Sequence, residues 1–213
     1  MPRKTVGHKI VASCIATAIS RVVIHHKNNT IISQVIKYVK KFAGAPYQLY
    51  TRQQGPTKDG PPFWIENKEP PPPERIYKKG LVCTGVANLA RRFVGLEVPG
   101  HILNMEKDSF IGGTEAWFRY LTLTNRLEKI DVHKVYPIGT LLLQNYNSHD
   151  QGHVAMVIFS SKKGLLHSKI IHAVSGVWYG KKYNSTVIEK CMEFPDYTRF
   201  THCGLPENWL LKN

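Results

Sequence analysis

The chain reads as an α+β domain, on three observations. Helical periodicity comes first along the chain, short apolar or alternating runs follow it, and the two are not interleaved as a parallel sheet with crossover helices would require. The 213 residues are 42% hydrophobic, enough for one core without a disulfide framework. No run approaches the ~18 uninterrupted apolar residues of a membrane-spanning helix. Composition therefore argues against an integral membrane span and against a stapled mini-protein.

Residues 1–29 read as a basic arm or targeting segment, and 30–213 as the folded domain. Met1 to Lys9 is basic, and Ile10 to Ser20 is a small apolar run containing Ala16-Thr17-Ala18. That is the outline of a secretory signal; an acid-free start with Arg and Ser also suits an organelle transit peptide, and a helix packing Ile10, Ile15, Ile19 and Val22 fits the same residues. The compartment stays open between secreted and cytoplasmic.

Thr30 to Phe42 places Ile31, Ile32, Val35, Ile36, Val39 and Phe42 at helical spacing with Lys37, Lys40 and Lys41 off the stripe, which predicts an amphipathic helix. Gly44 and Pro46 stop it. From there to Gly80 the chain is rich in Gly, Pro and Gln, with an unbroken Pro70 to Pro73, and is expected to be loop, a Pro-rich insert at about 51–80. Leu81 to Val94 then predicts a helix with Val86, Leu89, Ala90 and Phe93 on one face, Cys83 at or just before its first turn and Gly95 ending it. Thr114 to Leu121 predicts another, with Thr114 as a possible cap and Trp117, Phe118 and Leu121 inward. After the turn Pro137-Ile138-Gly139, the runs Thr140–Gln144, His153–Ser160, Lys169–Val174 and Asn184–Lys190 read as successive antiparallel strands.

Charge is unevenly distributed. Lys and Arg number 29 against 15 Asp and Glu, a net +14, and the first acidic residue is Asp59. Ten basic residues precede it: Arg3, Lys4, Lys9, Arg21, Lys27, Lys37, Lys40, Lys41, Arg52 and Lys58. Such a segment favours a polyanion, whether nucleic acid, anionic lipid or cell-wall polymer, because each neutralised charge releases a counterion. A solvated basic helix face is the plainer alternative.

Cys14, Cys83, Cys191 and Cys203 are too dispersed for a disulfide scaffold and contain no CxxC pair. Cys191 and Cys203 are close enough in sequence to bridge, or to be two small buried thiols. Cys83 is different: at a helix N-terminus the free amide N–H groups favour a thiolate, and an imidazole nearby completes the requirement for a nucleophile. His153 opens a strongly apolar strand just after Gly152, where it can serve as general base. His172, inward on the next strand, can hydrogen-bond that imidazole and fix its tautomer.

These blocks carry a resemblance. Gly44-Ala45-Pro46-Tyr47, Cys83-Thr84-Gly85-Val86, Tyr136-Pro137-Ile138-Gly139-Thr140-Leu141, Gly152-His153-Val154-Ala155-Met156-Val157 and Ile171-His172-Ala173 resemble, in order, the signature blocks of the NlpC-type cysteine peptidases. The likeness spans roughly residues 30–190. It implies a circularly permuted, papain-like α+β fold, with the helix bearing the catalytic Cys packed on an antiparallel sheet. It also implies hydrolysis of amide bonds in peptidoglycan-type cell-wall peptides through a thioester, without metal or other cofactor. By the same resemblance Cys83 is the nucleophile, His153 the base, His172 the third polar residue, and Tyr47 lines the site near the oxyanion. Val82 stands where the family commonly has Asp, and Thr140 where it has the aspartate of a P-G-D-L turn. The Gly152-His153-Val154-Ala155 block is also similar to the sister CHAP amidases.

Rival expectations remain beside this one. His149 and His153, four apart, suggest a metal site, but at a loop-to-strand junction that spacing does not align two ligands, and no CxxC or HExxH accompanies it. A polyanion-binding protein on an inactive scaffold would use the basic arm with Tyr38, Phe42, Tyr47 and Tyr50 among its charges, although no nucleic-acid motif is present. A thiol acyltransferase shares the thioester. Asp150 beside His153, and Trp64, Trp117, Trp178 and Trp209, are expected to be solvated loop and packing residues respectively.

Overall fold

In the computed structural model, residues 28–48, 69–100, 111–144, 152–178, 181–192 and 198–210 are described. The arm-or-signal reading of 1–27, most of the Pro-rich insert, Cys14, Tyr50, Trp64, His149 and Asp150 lie outside them, as does the Trp178 side chain.

Periodicity builds the first element as expected. Helix α1 (28–39) runs into a 3-10 turn, Lys40–Phe42. Val35, Val39 and Phe42 are fully buried while Lys37, Lys40 and Lys41 stay in solvent. Tyr38, one of the aromatics interleaved with the basic residues, is buried: it meets Phe42 edge-on and stacks on Phe93 with centroids 4.6 Å apart.

The loop expected up to Gly80 is corrected by helix α2 (Pro73–Lys79). A proline run does not forbid a helix that starts at its last member, since Pro at the first helical position loses an N–H that has no partner there anyway. Pro72 keeps the extended polyproline conformation, Glu74 and Lys78 and Lys79 complement the helix dipole at either end, and Ile76 anchors the inner face.

Helix α3 (Gly85–Phe93) is buried from Gly85 to Arg92 rather than along one stripe, and Phe93 is only partly covered. It is a central helix, so polar groups had to be satisfied inside. Arg91 donates from Nε to the Glu97 carbonyl and from its guanidinium to the Trp209 carbonyl and the Tyr120 hydroxyl. Asn88 Oδ1 accepts from Trp117 Nε1 at 2.7 Å, and Asn88 Nδ2 donates to the Gly112 carbonyl at 3.0 Å. Helix α4 (Thr114–Leu123) buries Trp117 and Leu121, while Phe118 is only partly covered. Its N-cap is Gly113 with no side-chain cap bond; Thr114 is not the cap, because its hydroxyl is turned to Cys83. Trp117 packs edge-on against Trp209 of the short C-terminal α5 (Pro206–Trp209), so both are core residues.

The strands are β1 (Glu128–Lys129), β2 (Leu141–Gln144), β3 (His153–Phe159), β4 (Lys169–Trp178), β5 (Lys181–Lys190) and β6 (His202–Gly204). They form one sheet in the order β1-β6-β2-β3-β4-β5, every pairing antiparallel. The α+β class expected from sequence is thus the class observed. Alternation splits the strand residues between two covered faces. Leu141, Leu143, Val154, Met156, Ile158, Ile171 and Ala173 join the helical core. Leu142, Ala155, Val157 and Ile170 join a second cluster with Tyr136, Leu165, Phe200, Cys191 and Cys203. Cys191 and Cys203 are therefore buried free thiols and form no disulfide. Among the described residues no helix is long and apolar enough to cross a membrane.

One irregularity positions the site. β3 pairs with β4 only from Met156 onward, opposite Ile171, whereas β4 continues to Trp178 paired with β5 alone. The two strands part at the end of β3 that carries His153.

Candidate active site

Cys83 occupies the turn immediately before α3, which opens with Gly85 N–H donating to the Val82 carbonyl and Asn88 N–H to the Thr84 carbonyl. A Cβ at Gly85 would lie 2.9 Å from Leu81 Cδ2 and would push that side chain aside. The Cys83 sulfur is faced by the backbone N–H groups of Val154, Thr84 and Cys83 itself, and lies 3.9 Å from the Thr114 hydroxyl. Val157 N–H bonds Thr140 on the β2 side, so by strand alternation Val154 N–H points toward β4, into the gap that β4 leaves.

His153 begins β3 and is 8% exposed; its Nε2 lies 2.6 Å from Nδ1 of His172, with the rings nearly perpendicular. Phe200 stacks on the other side of the His153 ring, centroids 5.8 Å apart. His172 Nε2 in turn lies 2.8 Å from Glu189 Oε1, and the Tyr183 hydroxyl donates to Glu189 Oε2 at 2.9 Å. On the ladder His172 opposes Val187 and Ile170 opposes Glu189, so Glu189 reaches His172 diagonally along one face of β4 and β5.

Tyr47 is brought in by the backbone. The segment 44–48 lies between β5 and the residue two before Cys83. Thr186 N–H donates to Ala45 O at 2.7 Å and Tyr47 N–H to Asn184 O at 3.0 Å on one side, and Leu81 N–H donates to Pro46 O at 2.8 Å on the other. Gly80 permits this approach: its φ is +78°, and a Cβ would lie 2.8 Å from Gln48 Cβ and 2.9 Å from Pro46 O. Burial raises the Tyr47 hydroxyl above the ordinary phenol range, and a Cys83 thiolate charge raises it further, so the phenol stands within electrostatic reach of the sulfur.

The structure brings His153 and His172 together and sets Tyr47 within electrostatic reach of Cys83, but shows no side-chain contact between Cys83 and His153, and the ionisation differs from expectation. Burial pushes the Cys83 thiol up, only partly offset by the Thr114 hydroxyl and the backbone N–H groups. Burial also holds His153 well below the ordinary imidazole value; Arg199 adds to that, as would a positive charge on His172. The expected thiolate and imidazolium give way to a neutral thiol and a neutral imidazole, because a site this dry penalises both charged forms. The thiol is not hydrogen-bonded to the His153 ring; the two meet through adjacent residues, the sulfur at Val154 N–H and the ring at His153.

Sequence reading missed Glu189, Tyr183, Thr114 and Phe200. Glu189 carried no local signal, since its strand Lys181–Lys190 is polar apart from Tyr183, Val187 and Ile188. Burial pushes its carboxyl up, but the hydrogen bond from His172, with its charge when protonated, the Tyr183 hydrogen bond and Arg199 outweigh that and hold it below the ordinary carboxylate range. Among the described residues no group of three or more His, Cys, Asp and Glu is arranged to hold a metal ion. No protein-family model, no curated protein and no solved structure matches the chain.

Proposed function

We propose that the chain is a cysteine hydrolase of papain-like type that cleaves an amide bond through a Cys83 thioester. The observation that carries this reading is the convergence, at His153 and Val154, of a thiol preceding a buried helix with a hydrogen-bonded His153–His172–Glu189 chain. As substrate binds, His153 Nδ1 takes the Cys83 proton while the sulfur attacks the carbonyl carbon. The neutral resting pair suits this order, since charge forms only as the bond forms. The oxyanion lies within reach of the Cys83 N–H and the Tyr47 hydroxyl, donors fixed before reaction begins. The imidazolium returns its proton to the leaving amine, leaving the acyl thioester. His153 then deprotonates a water that attacks the thioester carbonyl; the acid leaves and the proton returns to sulfur.

The substrate class that accompanies the NlpC-type resemblance is a cell-wall peptide, and the exposed basic face supports an anionic polymer around it. Lys37, Lys40 and Lys41 are joined there by α2, whose Tyr77 hydroxyl donates to the Ala43 carbonyl at 2.6 Å and which carries Arg75, Lys78 and Lys79. The test is incubation of the purified chain with peptidoglycan-type peptides and mass analysis of both products and protein. Cleavage with transient acylation of Cys83, absent in Cys83→Ala, supports the reading. Acyl transfer to an added amine with no hydrolysis replaces it by the acyltransferase, and neither acylation nor cleavage, with retention on an anionic polymer, replaces it by a binding protein.

A further inference from the structure

The chain of hydrogen bonds does not end at the third polar residue. We propose that Glu189 is a positioning residue that sets the tautomer of His153 through His172, an inference that rests on the hydrolase reading for its function but not for its geometry.

Glu189 is an ionised carboxylate and offers only acceptors. Oε2 receives the Tyr183 hydroxyl at 2.9 Å, and Oε1 lies 2.8 Å from His172 Nε2, so His172 must carry a proton on Nε2 to make that bond. A neutral His172 then has a bare Nδ1, which accepts. Its partner at 2.6 Å, His153 Nε2, must carry the proton and donate it. His153 is neutral, so its Nδ1 is left as a bare lone pair. That is the nitrogen a general base needs, and it is the ring nitrogen not engaged by His172.

The same relay contains a switch. A proton added to His172 turns its Nδ1 into a donor toward His153 Nε2, and the single proton of neutral His153 must then move to Nδ1, where it can accept nothing. Glu189 and Tyr183 from β5 and Arg199 from the segment before β6 are the charged or titratable groups facing this pair. Without Glu189 nothing obliges His172 to keep its proton on Nε2, and His153 becomes a mixture of tautomers.

The test is a two-bond 15N–1H spectrum of the full chain labelled at histidine, near pH 7.5, beside acylation of Cys83 by p-nitrophenyl acetate followed by mass. In the wild type, His153 should show a protonated Nε2 and a bare Nδ1. In Glu189→Ala, and in Glu189→Gln should the first fail to fold, the Nδ1-protonated form should appear and acylation should slow by about 10- to 100-fold, the scale of losing a group that orients a ligand or base. Tyr183→Phe should shift both readouts in the same direction by less. A wild-type His153 protonated on Nδ1, or a tautomer unchanged in both Glu189 variants, overturns the relay while leaving the hydrolase reading to Cys83 and His153. A correct tautomer with no acylation of Cys83 upholds the relay and removes the hydrolase reading.

Discussion

His153 Nε2 and His172 Nδ1 lie 2.6 Å apart although the two residues are not partners on the β3–β4 ladder. The rings bridge two strands that have just separated. Removing the second ring therefore leaves a buried imidazole N–H without its acceptor. His172→Ala should lower stability by about 1–3 kcal/mol, the cost of one orphaned buried donor, and should slow Cys83 acylation. Denaturant melts and acylation rates on the same sample check both.

The pH dependence of labelling follows from burial. Because the Cys83 thiol is held up and His153 held down, limiting iodoacetamide at pH 6 should leave Cys83 almost unlabelled. Labelling should rise only as pH passes the ordinary thiol range near ~8.5. Peptide mapping across a pH series reads this directly; strong labelling of Cys83 at pH 6 would show a resting ion pair.

Stability should fall toward acid for a related reason. A histidine whose folded pKa is depressed contributes stability that is present above its unfolded value of ~6.5 and is lost as pH falls through the folded value. Glu189, also depressed, adds loss below the ordinary carboxylate value of ~4.3. The melting temperature should therefore drop as pH is lowered from 7 to 5, and His153→Gln should flatten that slope.

On the proposed hydrolase reading, Tyr47→Phe removes one oxyanion donor and leaves the ring. The expected effect is a fall in kcat of about 10²-fold with little change in KM, as for the loss of a single such donor. Steady-state kinetics on any cleaved peptide or ester measures it.

Gly80→Ala tests the backbone that carries Tyr47. A side chain at φ +78°, pressed on Gln48 and the Pro46 carbonyl, should cost about 1–3 kcal/mol of strain. It should also slow acylation by moving Tyr47 away from Cys83, although neither residue is changed. A calorimetric melt and an ester burst assay separate the two effects.

Cys83, His153 and His172 could be found in the sequence because each sits beside a local signal: a helix start, a strand start after glycine, an apolar alternation. Glu189, Tyr183 and Phe200 could not, since what joins them to the site is the register of β5 on β4 and the return of the chain before β6, both tertiary facts. Strands β1 and β6 were missed for the same reason; two and three residues long, they exist only through pairing. Helix α2 was hidden by reading a proline run as a barrier where its last member starts a helix. The ionisation state was misjudged because a helix N-terminus argues for a thiolate, whereas the dryness of the site, which only packing reveals, argues more strongly for the thiol.

The central claim is that Cys83 is a nucleophile activated by His153, and burst acylation by p-nitrophenyl acetate with mass mapping of every cysteine tests it most directly. The account predicts one acyl group on Cys83 in the wild type, none there in Cys83→Ala, and a burst slowed by at least ~10²-fold in His153→Ala, the scale of general-base loss. Acylation spread over Cys14, Cys191 and Cys203, or a Cys83 burst indifferent to His153→Ala, would contradict it.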